Sequence, residues 1–391
     1  MRILHTSDWH LGRSFLGVGM LEHQASYVDH LIATVESERV DLVLVAGDVY
    51  DRALPPVDAV RLFEETLERL ADTRATAVIT SGNHHDSHQR LGFASRLIER
   101  AGIYLRTHAR DVGTPVLLGD GHGPVAVHGL PYLDPDHLRA AWGLPGRSHQ
   151  ATLTEAMRRV RADLEARPRG TRSVVMAHAF VAGHQEPRPS DSERDISVGG
   201  VQLVPTTVFD GVDYVALGHL HGRHTLTDTV RYSGSPLAYS FSEADQHKGS
   251  WLVDLDADGQ VTTEFVDAPV PRRLVRLRGT LDALLTDPRH GDAETAWVQA
   301  VLTDTERPAQ AKPRLERRYP HLLSVNFAPE GAPAVRLPAA RTGPGVSDHE
   351  ITLDFVRDVR GRPADAAESR LLLDACDACG HDPDADRVVN A

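Results

Sequence analysis

The chain has 391 residues, 41% of them hydrophobic and 25% charged, enough to bury a large core and to carry two or three domains. No apolar run approaches the roughly 20 residues that cross a bilayer, and two cysteines, Cys376 and Cys379, make no disulfide framework. The formal charge of −13 argues against a surface that is one nucleic-acid footprint, although a local basic strip or a partner subunit can still supply phosphate contacts.

Met1 leads directly into the strand-like Arg2-Ile3-Leu4-His5-Thr6, without the charged and apolar segments of a secretory leader. A cytoplasmic location is therefore expected. Val28, Leu31, Ile32 and Val35 recur at helical spacing. Leu42 to Ala46 is a continuous apolar run, as in a strand buried on both faces. Pro55-Pro56 opens a helix whose expected inner face is Val60, Phe63, Leu67 and Leu70. Thr76 to Thr80 is the next strand, followed by a helix around Leu91 to Arg100. Val125 to His128, Val174 to Ala177 and Tyr214 to Leu217 are later strands. Val230 to Ser233 and Trp251 to Asp254 read as closing antiparallel strands near the Asp258-Gly259 turn.

Composition changes after residue 270. Strands are expected at Leu274 to Leu277 and Trp297 to Leu302, with a helix around Ala309 to Arg318. Ala328 to Gly345 is rich in Pro, Gly and Ala and reads as a linker. Beyond it, Ile351 to Val359 and Ala364 to Cys379 read as two helices. Leu372, Ala375, Cys376 and Cys379 form an apolar stripe on the second, with Asp365 near its start. The expected division is 1–270, a layered α/β domain; 271–330, a small α+β module; 331–347, a linker; and 348–391, a helical tail that docks on a partner.

Five short motifs end strand-like runs: Asp8-Trp9-His10, Gly47-Asp48, Gly82-Asn83-His84, His178, and Gly218-His219-Leu220-His221. Each has an ordinary reading alone: a capping Asp, a Gly-Asn turn, a core histidine. Together, in this order, they supply carboxylate, imidazole and amide ligands without thiolate. That donor set suits Mn²⁺, Fe²⁺ or Zn²⁺ at a site other than a cysteine-type zinc site. A carboxylate at Asp48 can bridge two cations, and Asp51 is either a supporting partner or a turn residue. His84, beside the Asn83 ligand, is placed to protonate a leaving oxygen. Two ions roughly 3.5–4 Å apart clamp both oxygens of an in-line displacement. No phosphate-binding glycine loop of the P-loop type is present.

These motifs resemble those of the calcineurin-like metallophosphoesterases, and more closely those of the SbcD family of nuclease subunits. The closer likeness rests on Met1 to Gly12, Ser190-Asp-Ser-Glu-Arg194, Ser197-Val-Gly-Gly200, Tyr232-Ser-Gly-Ser-Pro236, Phe241-Ser-Glu243 and Lys248-Gly249. It covers residues 1 to about 255 strongly and the rest loosely. It implies a metallophosphoesterase β-sandwich flanked by helices, a capping domain and C-terminal helices that bind an ATPase subunit of the SbcC type. It also implies Mn²⁺ as working metal, a homodimer within a heterotetramer, and action on DNA ends and hairpins in repair. By ligand type and family pattern, one ion falls to Asp8, His10, Asp48 and His221. The other falls to Asp48, Asn83, His178 and His219. The family reads Gly-Asn-His-Asp, whereas this chain has Gly82-Asn83-His84-His85-Asp86-Ser87. Alignment from Asn83 makes His84 the acid; alignment backwards from Asp86 makes it His85, and the first is preferred. A phosphoesterase for small phosphoesters or phosphoproteins, and a weakly active DNA-end tether, remain the alternatives.

Overall fold

Alternate residues of each central strand face opposite layers, and this alternation builds the fold. Leu42, Leu44 and Ala46 point into a core shared with Val174, Met176, Tyr214 and Ala216 of a second sheet. Val43 and Val45 point the other way, onto helices that contribute Val28, Leu31, Val35, Phe63 and Leu70. Val175, Ala177, Val215 and Leu217 cover the far side, against Leu153, Ala156, Met157 and Val160. The result is a sandwich of two sheets between helical layers, as expected. The computed structural model describes residues 1–84, 91–92, 95–183, 189–193, 196, 203–330 and 347–380.

The first sheet has six strands in the order Val261–Asp267, Gly249–Leu255, Arg2–Thr6, Leu42–Ala46, Thr76–Thr80 and Ile103–Arg106. Arg2–Thr6 pairs in parallel with Leu42–Ala46, and that strand with Thr76–Thr80 and so to Ile103–Arg106. The second sheet runs His224–Thr225, Val230–Tyr232, Tyr214–Gly218, Arg172–His178, Gly123–Gly129 and Val116–Asp120. Its middle strands are also parallel. Parallel strands end at a common edge, so the loops after them converge. Open α/β sheets place ligands at this edge.

Several expectations are corrected. The helix Val57–Ala71 buries Ala59, Leu62, Phe63, Thr66 and Leu70, while Val60 and Leu67 are only partly buried. Small Ala59 and hydroxylated Thr66 do the packing that the larger side chains were expected to do. Val230–Tyr232 does not close the chain beside Gly249–Leu255; it pairs in parallel with Tyr214–Gly218 in the second sheet. The turn at Asp258-Gly259 does join antiparallel strands, Gly249–Leu255 and Val261–Asp267. The helices Pro135–Trp142 and His149–Glu165, and the strands Ile103–Arg106 and Val116–Asp120, were not anticipated.

The chain divides by compactness into two units, one of residues 1–277, 285–300 and 312–325, the other of 278–284, 301–311 and 326–391. Within the first, Trp297 and Leu323 pack with Phe15, Met20, Leu237, Tyr239 and Phe241. Within the second are the tail helices Asp348–Arg360 and Ala366–Gly380. A Ser347–Glu350 capping box starts the first of these helices. Asp365 accepts from the amides of Ala367 and Glu368 at the start of the second. Most of the expected linker, 331–346, lies outside the described residues.

The two sheets approach closely at glycines where strands end. A Cβ on Gly218 would lie 1.8 Å from the Ala46 carbonyl oxygen. Gly47, at φ +87°, would place one 2.2 Å from His178 Nδ1. Gly218→Ala is therefore expected to cost about 1–3 kcal/mol, the usual range for overpacking. Urea denaturation checks this, and an unchanged midpoint would contradict so close an approach.

Candidate metal centre

Each of the five motifs sits where a strand ends. Asp8 and His10 follow Arg2–Thr6, Asp48 follows Leu42–Ala46, and Asn83 and His84 follow Thr76–Thr80. His178 is the last residue of Arg172–His178, and His219 and His221 follow Tyr214–Gly218. The loops are tied to one another. The Asp8 amide donates to the Gly47 carbonyl, His10 to that of Asp48 and Leu11 to that of Val49. The His219 amide donates to the Asp8 carboxylate at 3.1 Å, and the His84 amide to Asp48 Oδ1 at 3.0 Å.

All seven expected ligands come together in the interior. Asp8, His10, Asp48, Asn83, His178, His219 and His221 are each at most 9% exposed. In one group, His10 Nε2 lies 3.0 Å from His221 Nε2 and 3.8 Å from Asp48 Oδ2. One atom from each of Asp8, His10 and His221 falls within 4.8 Å of the others. In the other group, Asn83 Oδ1 is 2.8 Å from His178 Nε2 and 3.3 Å from His219 Nδ1. His178 Nε2 is also 3.4 Å from Asp48 Oδ2. The Asp48 carboxylate thus stands between the groups. Asp8 lies within the same reach of Asp48 and His178, a second carboxylate link that was not anticipated.

Four of these seven residues have left-handed backbone: Asp8 at φ 55°, His10 at 48°, Asp48 at 45° and His219 at 105°. Left-handed backbone is uncommon outside glycine, and such strain collects at functional sites. No residue pattern in the sequence signals it.

The electrostatics fit a cation. Burial pushes the Asp8 carboxyl up, against the pull of His178 and His221. Burial would do the same to Asp48, but His178, His84 and His10 outweigh it and hold that carboxyl well below its usual range. Burial works against a charged His178, yet Asp48 raises it to about 9. Burial dominates at His10 and His219 and keeps both well below the usual imidazole value. His10 Nδ1 is buried without a hydrogen-bond partner. Buried carboxylates and imidazoles in this density are costly unless paired or bound to metal. The donor set of carboxylate, amide oxygen and imidazole suits a divalent ion.

His84 is 4% exposed. Its Nδ1 donates to the Asp51 carbonyl at 2.9 Å, and its Nε2 lies 3.9 Å from Asp48 Oδ2. The backbone of Asp51, rather than its carboxylate, is therefore the hydrogen-bonding contact. His85, Asp86 and Ser87 lie outside the described residues, as do Arg194 and Ser197 to Gly200.

Sequence reasoning assigned no role to several residues around His221. The His221 amide donates to Glu193 Oε1 at 2.6 Å. Its Nδ1 lies 2.7 Å from Ser192 Oγ, and Lys248 Nζ donates to its carbonyl at 2.8 Å. Glu193 and Ser192 belong to the Ser190–Arg194 motif, and Lys248 to Lys248-Gly249. Only the family likeness marked them in the sequence.

The calcineurin-like phosphoesterase family matches residues 1–223. The type 5 capsule protein repressor C-terminal domain, a domain of SbcD proteins, matches residues 270–347. The SbcD subunit of the nuclease SbcCD from Staphylococcus saprophyticus is 30% identical over 328 residues, which cover 83% of this chain and 84% of that protein. Among solved structures, TT1561 of Thermus thermophilus is 13% identical with a TM-score of 0.40, covering 68% of this chain and 98% of its own. The purple acid phosphatase PPD1 of yellow lupin is 14% identical, also at 0.40, covering 68% and 51%. The chain belongs to the calcineurin-like phosphoesterases, as a metal-dependent phosphodiesterase of the SbcD family of nuclease subunits.

Proposed function

We propose that this chain is the nuclease subunit of a DNA-processing complex, holding two Mn²⁺ ions and cutting phosphodiester bonds at DNA ends and hairpins. The observation that carries the reading is the Asp48 carboxylate, with His10 Nε2 at 3.8 Å in one group of donors and His178 Nε2 at 3.4 Å in the other. In this reading one ion is held by Asp8, His10, Asp48 and His221, and the other by Asp48, Asn83, His178 and His219. Divalent ions held there would supply Lewis acidity to a phosphoryl oxygen and lower the pKa of a water near them.

The remaining chemistry belongs to the protein. The Asp51 carbonyl can only accept, so His84 Nδ1 carries a proton and Nε2 is the end turned toward Asp48. A protonated His84 can then donate from Nε2 to a leaving oxygen, or stabilise charge on it. The left-handed loops keep the donors in place without rearrangement during the reaction.

For partners, the reading is a homodimer joined to an SbcC-type ATPase through the tail. Residues 271–330 act as a capping domain and 331–347 as the linker. Of the expected stripe, Ala375 is exposed while Leu372 and Cys376 are half-buried. Cys376 Sγ lies 3.8 Å from Thr352 Oγ1 of the neighbouring tail helix. Phe355, Val359 and Leu371 are also exposed, at 59%, 56% and 68%. The side chain of Cys379 is outside the described residues. No helix among the described residues is long and apolar enough to cross a membrane.

Asp48→Ala is expected to lose both ions, because one carboxylate serves both. Metal analysis of the folded variant checks this, and full occupancy would rule out the bridge. His84→Ala is expected to keep both ions and lose about 10²–10⁴-fold in turnover. If His85→Ala is the inactive variant instead, the roles of the two histidines exchange. A chain cut after Gly345 is expected to keep Mn²⁺-dependent cleavage of simple phosphodiesters but to lose co-purification with the ATPase subunit. Partner binding at undiminished affinity would remove the tail from the interface.

A further inference from the structure

Lys248 and Glu243 form a buried ion pair that the chemistry above does not use. Glu243 is 1% exposed and Lys248 8%. Lys248 Nζ lies 2.5 Å from Glu243 Oε2, 2.9 Å from Ser235 Oγ, 2.8 Å from Gln246 Oε1 and 2.8 Å from the His221 carbonyl. The other carboxylate oxygen, Glu243 Oε1, is 2.5 Å from Ser192 Oγ. Ser192 Oγ is in turn 2.7 Å from His221 Nδ1 and 2.9 Å from Ser190 Oγ. Breaking so buried a pair is costly, so its retention calls for a reason.

The donors in this chain can run in only one direction. An ammonium only donates and an ionised carboxylate only accepts. Glu243 therefore accepts a hydrogen bond from Lys248 at one oxygen and from the Ser192 hydroxyl at the other. Ser192 has a single hydrogen, and with that committed to Glu243 its oxygen must accept from His221. The hydrogen of His221 then sits on Nδ1, and its Nε2 presents a lone pair. That Nε2 is the atom 3.0 Å from His10 Nε2, in the group that brings His221 together with the Asp8 carboxylate.

We propose that Lys248, Glu243 and Ser192 act as positioning residues, a one-way hydrogen-bond relay that locks His221 in the Nδ1–H tautomer with Nε2 turned to the metal. The proposal rests on His221 being a ligand, as read above. Partners of this kind on a ligand's remote nitrogen set its tautomer and ring orientation, and losing them costs 10–100-fold in metal affinity. The relay gives a purpose to the Ser190–Arg194, Phe241-Ser-Glu243 and Lys248-Gly249 motifs.

Glu243→Gln tests the direction with little change of shape. Lys248 must keep facing the amide oxygen, so the amide NH₂ faces Ser192. Ser192 then turns its hydrogen to His221 Nδ1, and the imidazole proton moves to Nε2. Full-length protein freed of metal is titrated with Mn²⁺, with free Mn²⁺ counted by electron paramagnetic resonance and folding followed by thermal melting. The wild type is expected to bind two ions. Glu243→Gln is expected to bind one ion as the wild type does and the other about 10–100-fold more weakly. Ser192→Ala should lose less, because Glu243 Oε1 is already 3.4 Å from His221 Nδ1 and can accept directly. Ser192→Thr should restore binding. Two ions bound with unchanged affinity by folded Glu243→Gln, with only its melting temperature lowered, would overturn the relay. If Glu243→Gln does not fold, Ser192→Ala binding identical to Ser192→Thr overturns it instead. A wild type that binds no Mn²⁺ would overturn the metal reading itself, a separate failure.

Discussion

The structure depends on a buried carboxylate surrounded by imidazoles. Asp48 is 2% exposed, and the side-chain nitrogens of His10, His84 and His178 lie 3.4–3.9 Å from its Oδ2. Burial alone would neutralise such a group. The imidazoles outweigh burial and keep it ionised. Asp48 thus sets the charge against which the other proposed ligands are arranged. It also joins the two halves of the site, because His10 follows a strand of the first sheet and His178 ends a strand of the second.

That arrangement requires the two sheets to meet within hydrogen-bond distance. His178 Nδ1 reaches the Ala46 carbonyl at 3.0 Å, which fixes the ring and turns Nε2 toward Asn83 and Asp48. Glycine at 47, 82 and 218 removes the Cβ atoms that would intervene; one on Gly82 would lie 2.1 Å from Asp48 Oδ1. The left-handed turns at Asp8, His10, Asp48 and His219 bend the chain sharply after each strand. Packing of the sandwich stabilises this strained backbone, so the geometry of the candidate site and the fold are the same set of contacts.

Much of this was legible in the sequence for physical reasons. Leu42–Ala46 was readable to the residue because a strand buried on both faces is a continuous apolar run, and Thr76–Thr80 because β-branched threonines flank its apolar centre. Ile103–Arg106 alternates buried and half-buried residues, and Val116–Asp120 is an edge strand ending in Gly-Asp, so neither stands out. The helix His149–Glu165 buries His149, Thr152 and Ala156 beside Leu153, Met157 and Val160, which blurs its apolar stripe. The types of the candidate ligands and their order at strand ends were visible. The backbone conformation that aims them was not. Nor was the environment of His221, since Ser192, Glu193, Glu243 and Lys248 are residue types common on any surface. Beyond the family likeness of their motifs, only burial and mutual distance separate them from such surface residues.

The central claim is that Asp48 unites two cation sites. Crystals of the protein grown with Mn²⁺, measured for anomalous scattering at the manganese edge, test it most directly. The account predicts two peaks about 3.5–4 Å apart, one beside Asp8, His10 and His221, the other beside Asn83, His178 and His219, with Asp48 between them. A single peak, or two peaks without Asp48 between them, would contradict it.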